Sequence, residues 1–174
     1  MKNGRLIVIY LIFIIAQIIL NNVFNLSQYI LISFLPAMIV CLPSRYNTGI
    51  NLGIAFVIGF IVDFFSTGMI GMSSVALLPV ALARNSLLSL IFGEEYFTRR
   101  EDMLSDIQGF RRTLACVEIS LVLYLSVYIF VDSAGTRPFG FNLLKFIISF
   151  LICSAVSVFI ISNFSTKDSR SRWD

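Results

Sequence analysis

Long apolar runs separated by short polar clusters organise this chain. A helix that crosses a bilayer needs about 20 mostly apolar residues at about 1.5 Å each. Six segments approach that length. The first, about Leu6 to Asn22, is almost purely aliphatic and turns much of its surface to lipid. A polar break over 21–28 leads into the second, about Tyr29 to Leu42, which contains Pro36 and stops at Pro43 and Ser44. It is short, so tilt or bilayer thinning must compensate. The third, about Asn51 to Phe65, carries Ala55 and Gly59 four apart, a small-xxx-small spacing that permits close helix contact. Gly68-Met69-Ile70-Gly71 then turns the chain into the fourth, about Met72 to Phe92, with Pro79 and Arg84 inside it.

The one long polar stretch, Gly93 to Arg112, holds five acidic and four basic residues and reads as a solvated connection. The fifth helix, about Thr113 to Val131, carries Glu118, and Asp132 to Phe141 reads as a loop. The sixth, about Asn142 to Ile161, has Lys145 near its start. Along it Ser149, Cys153 and Ser157 recur every four residues, marking a narrow face suited to packing. Residues 1–163 thus form one all-α, six-helix transmembrane domain, and 164–174 a short polar tail.

Composition agrees with the pattern. The chain is 57% hydrophobic and 13% charged, against roughly 25% charged in an ordinary soluble domain. That excludes a solvated globule and indicates an integral membrane protein. The net charge of +3 does not point to nucleic acid, because the charges sit at segment ends. No charge occurs in the 39 residues between Arg5 and Arg45, which indicates retained membrane segments rather than a short cleavable leader. Six crossings put both termini on one side. That side holds Lys2, Arg5, Arg45, Arg99, Arg100, Arg111, Arg112, Lys167, Arg170 and Arg172, and the other Arg137 alone. By the positive-inside rule the termini are cytoplasmic.

Candidate chemistry is sparse. There is no histidine, and Cys41, Cys116 and Cys153 lie in apolar segments without metal-site spacing. No nucleophile elbow, Walker loop or Cys/His cluster is present, so no enzyme activity, cofactor or metal is expected. The Asn163-Phe-Ser tripeptide falls on the cytoplasmic side, where a glycosylation acceptor has no meaning. Four ionisable residues lie within the segments: Asp63, Arg84, Glu118 and Lys145. Each costs about 2.5–3.5 kcal/mol to insert if placed at a helix centre. Counting from segment ends puts Arg84 about 12 Å and Glu118 about 8 Å from the inner face. Asp63 and Lys145 both lie near the outer face. Depth therefore predicts two pairs, Asp63 with Lys145 and Arg84 with Glu118. Two carboxyls near opposite faces make a poor relay, which argues against a proton or ion transporter.

The stretch Gly53 to Gly71 stands out, with one carboxyl in an apolar run that closes on glycines. Its Gly59-Phe60-Ile61-Val62-Asp63, followed by Gly68, Gly71 and the small-residue helix start Gly71-Met72-Ser73-Ser74, resembles the central signature of the MreD family of rod shape-determining membrane proteins. Size and segment count fit along nearly the whole chain. The resemblance implies a non-enzymatic scaffold in the bacterial inner membrane that binds MreC. Through that complex it would join MreB, RodA and a penicillin-binding transpeptidase in cell-wall elongation, in contact with lipid and not nucleic acid. It also implies a fold similar to the substrate-binding subunits of energy-coupling-factor transporters. A vitamin-binding subunit is therefore the alternative, with Asp63, Arg137, Asn142 and Lys145 near an outward pocket. On the scaffold reading the structural or partner-binding candidates are Gly53, Gly59, Asp63, Gly68, Gly71, Arg84, Glu118 and Lys145.

Overall fold

The computed structural model describes residues 2–24, 30–42, 47–66, 69–92, 107–133 and 138–170, and among these the regular structure is entirely helical. The helices are α1 (Lys2–Phe24), α2 (Leu35–Val40), α3 (Thr48–Phe65), α4 (Met72–Phe92), α5 (Ile107–Ser133) and α6 (Phe139–Arg170). Stretches within α3, α4, α5 and α6 are long and apolar enough to cross a membrane. Polar side chains share the apolar interior, and large apolar ones cover much of the outside. Gln17, Asn51, Asp63, Arg84, Lys145 and Ser149 are buried, while Val8, Ile12, Ile15, Ile19 and Val23 form an exposed stripe along α1. On α3 an exposed ladder of Phe56, Phe60 and Phe64 stacks at 6.2 and 6.4 Å between ring centroids. Polar groups turned inward and apolar ones outward are what a lipid solvent requires. The chain is a membrane-embedded, multi-pass protein.

The α3–α4 hairpin forms as the glycine pattern predicts. A Cβ on Gly59 would lie 2.6 Å from Ser74 Cα and 2.7 Å from Ser74 N, so only glycine lets the two backbones meet. Ala55 beside it is fully buried. Gly71 has φ +97°, a conformation that L side chains rarely adopt. Gly53 is different. It is exposed, with open space where a Cβ would go, so it is not a packing glycine. Gly68 lies outside the described residues, as do residues 93–106 of the long polar connection, Arg137, and 171–174 of the tail.

The second segment departs from expectation. A helix over Tyr29 to Leu42 is replaced by non-helical chain at 30–34 and the six-residue α2, with residue 29 outside the described range. Proline is the local cause. Pro36 stands in the first turn of α2, where its missing N–H is no loss, and a helix running on through residues 30–34 would place it in the interior, without a hydrogen bond to Ile32 O and with its ring against that carbonyl. Leu31 N donates to Ser149 Oγ (2.9 Å) and Ser33 N to Cys153 Sγ (3.2 Å). These acceptors are four residues apart, about 6 Å along α6. They serve amides only two residues apart, so the chain advances about 3 Å per residue and is extended. Extended chain advances about twice as far per residue as helix.

Such backbone survives at membrane depth only if protein satisfies its polar groups. Gln17 of α1 does so in the manner of a neighbouring strand, donating to Ile32 O (2.9 Å) and accepting from Phe34 N (3.0 Å). Cys153 also donates to Leu31 O (3.4 Å), and Tyr10 to Met38 O (3.1 Å). Residues 33–40 are all buried. The Ser149–Cys153 face is thus a hydrogen-bonding strip for this segment. At the ends, α5 begins at Ile107 and reaches Ser133, and α6 continues through the start of the tail to Arg170.

Candidate functional site

Asp63 stands in the last turn of α3, beside the start of α4, whose first amides have no intrahelical partner. Its Oδ2 accepts from Gly71 N (3.0 Å), Ser73 N (2.9 Å) and, at longer range, Ser74 N (3.4 Å). The positive φ of Gly71 brings these donors together. A carboxyl on one helix therefore caps the next, and it meets the positive end of the α4 dipole. Ser73 also reaches Asp63 through its hydroxyl, and the Tyr124 hydroxyl faces those of Ser33 and Ser73. Asp63 thus ties the end of α3 to the start of α4, with Tyr124 of α5 and Ser33 of the extended segment buried close by. Asp63 and Tyr124 are buried, at 5% and 1% exposure.

Neither expected ion pair forms. Lys145 Nζ is 2.8 Å from Asp132 Oδ2, not paired with Asp63. The reason is the end of α5. A helix stopping at Val131 leaves Asp132 to a loop, whereas continuation to Ser133 brings Asp132 level with Lys145 across the α5–α6 connection. Arg84 does not pair with Glu118 either. Its guanidinium donates to Val40 O (3.3 Å), to Leu42 O and to Asn85 Oδ1 (3.2 Å), capping the carbonyl end of α2. A full second helix would have left fewer carbonyls in need of it. Glu118 Oε1 accepts from Ser154 Oγ (2.8 Å), and its buried Oε2 has no hydrogen-bond partner among the described residues.

Sequence reasoning misses several positioning residues: Gln17, Asn51, Asn85, Tyr124 and Asp132. Asn85 Nδ2 donates to Thr48 Oγ1 (2.9 Å) and Asn51 Nδ2 to Asn85 Oδ1 (3.4 Å), tying the start of α3 to α4 beside Arg84. Gln17 does carry a signal, an amide side chain within the aliphatic run of α1. Two polar ensembles result, one headed by Asp63 at the α3–α4 turn and one around Arg84 at the opposite end. The cysteines are unbridged, and no metal-holding cluster occurs among the described residues. Near Asp63 a cleft lined by Leu20, Asn21, Ile30, Leu31, Ile32, Ser66 and Tyr128 holds about 40 Å³. Pockets for small molecules run to roughly 300–1,000 Å³.

Comparison of the chain with protein-family models, curated proteins and solved structures gives no match.

Proposed function

We propose that this chain is an MreD-like, non-enzymatic membrane scaffold that binds MreC and serves the cell-wall elongation machinery of MreB, RodA and a penicillin-binding transpeptidase. One observation carries the reading. Of the residues on which the resemblance rests, Gly59, Asp63, Gly71, Ser73 and Ser74 form a single interlocked hairpin, with Gly59 against Ser74 and Asp63 capping α4; Gly68 lies outside the described residues. A motif whose members hold one another acts as a shape-defining unit, which is what a scaffold needs. The vitamin-binding alternative draws less support, because the cleft near Asp63, lined by described residues, holds about 40 Å³, against roughly 300–1,000 Å³ for a small-molecule pocket. On this reading the chain crosses the bacterial inner membrane six times with cytoplasmic termini, in keeping with its Lys/Arg distribution.

The test is gentle solubilisation from native cells, with identification of co-purifying proteins, alongside shape analysis of a deletion strain. MreC in the eluate and rounded cells restored by the wild-type gene are expected. A deletion that leaves shape unchanged, or an eluate of ATPase subunits with a bound small molecule, overturns the proposal.

A further inference from the structure

A carboxyl or hydroxyl oxygen buried at membrane depth has no bulk water to turn to, so one without a protein partner needs an explanation. Glu118 Oε2, Ser120 Oγ and Ser157 Oγ are such atoms among the described residues. Their residues lie in the apolar stretches Phe110–Ser133 of α5 and Phe139–Val158 of α6. Two of the three atoms converge. Glu118 Oε1 accepts from Ser154 Oγ at 2.8 Å, which seats the carboxyl of α5 against α6. Ser157 is fully buried about one turn further along α6. At that spacing its Cβ is about 5–6 Å from that of Ser154. The pairs Asp132–Lys145 and Glu118–Ser154 run in opposite order along the two helices, so α5 and α6 are antiparallel. Helical side chains lean toward the N-terminus of their own helix. Glu118 therefore leans toward the level of Ser157, and Ser157 leans back toward the carboxyl. Serine at both 154 and 157 leaves α6 without a large side chain at these two positions. Ser120 is different, since two residues turn it about 200° round α5 from Glu118.

We infer that a water molecule binds between α5 and α6, donating to Glu118 Oε2 and accepting from the Ser157 hydroxyl. The two atoms are complementary to it, because a carboxyl oxygen accepts a hydrogen bond and a hydroxyl donates one. Two polar partners are the fewest that hold an internal water. Glu118 is then tied to two turns of α6, to Ser154 directly and to Ser157 through the water. This fastens the helix pair well away from the Asp132–Lys145 bridge. The inference is independent of the scaffold reading.

Melting of the full chain in detergent, followed by far-ultraviolet circular dichroism, tests it by the sign of a small change. A buried hydroxyl with no partner is a cost that alanine removes. Ser120→Ala is therefore expected to raise the melting temperature. Ser157→Ala should instead lower it, by about 2–6 °C, because the water loses one of its two partners. In a Glu118→Met background the water has no acceptor, and there Ser157→Ala is expected to raise the melting temperature. Ser157→Ala melting at or above the wild type overturns the inference, as does an equal drop in both backgrounds. Should Glu118→Met not fold, infrared spectra of the wild type and Ser157→Ala decide. The wild type is expected to show an O–H stretching band that shifts in water labelled with heavy oxygen and is missing from Ser157→Ala. That band in both proteins, or in neither, overturns the inference.

Discussion

Removing the Asp63 carboxyl isolates the cap from everything else in the hairpin. In Asp63→Ala, the Gly71 and Ser73 amides lose their partner at 3.0 and 2.9 Å, and the weaker Ser74 contact at 3.4 Å goes with them. Loss of a helix cap costs about 0.5–2 kcal/mol. Each buried donor left unpaired costs about 1–3 kcal/mol, and lipid offers it no substitute. Two strongly bonded amides sharing one oxygen give about 2–4 kcal/mol. At about 2–4 °C per kcal/mol for a chain of this size, the melting temperature should fall by about 4–16 °C. Cys116 and Cys153 are each 1% exposed, so a thiol-reactive fluorophore added during heating in detergent reports unfolding directly. Asp63→Asn keeps an oxygen acceptor of the same reach and should retain most of the stability. If Asp63→Ala melted together with the wild type, the carboxyl would not be holding α4, and the whole account of the hairpin would fail.

Three further outcomes follow from the geometry. Gly59→Ala forces a Cβ against the Ser74 backbone and should destabilise by about 1–3 kcal/mol, whereas Gly53→Ala should be neutral or stabilise by about 0.5–1 kcal/mol; equal melting temperatures for the two would contradict the close approach. Gln17→Leu leaves Ile32 O and Phe34 N bare, at a cost of about 2–4 kcal/mol, and should speed labelling of Cys153 in the folded protein. In a double-mutant cycle Asp132→Ala and Lys145→Ala should be strongly coupled and Asp63→Ala with Lys145→Ala uncoupled; the reverse result would restore the pair expected from depth alone.

The hairpin was legible because its determinants are local: a carboxyl at the end of one apolar run, glycines at the turn and small residues at the next start. The small-residue face of α6 was legible too, but its use was not. Ser149 and Cys153 sit at helical spacing, which announces a face without saying what lies against it. The second segment misled for a related reason. An apolar run of that length fits a buried helix or an extended chain equally well, and Pro36 starts a helix as readily as it interrupts one. The ion pairs failed at the boundary of α5, where a short extension of the helix moved Asp132 from loop to partner. Depth counting ranks residues along the membrane normal. It carries no information on which helices are neighbours.

By itself the sequence determined the solvent, the apolar runs and the hairpin, because burial in lipid and turn chemistry act on residues near one another in the chain. Only the tertiary structure decided how the interior is satisfied. In a medium without water, the open amides and carbonyls of residues 31–42 must be met by side chains, and those come from Gln17, Arg84, Ser149 and Cys153, far away in sequence. Such partners are selected by three-dimensional proximity, so no linear pattern could name them.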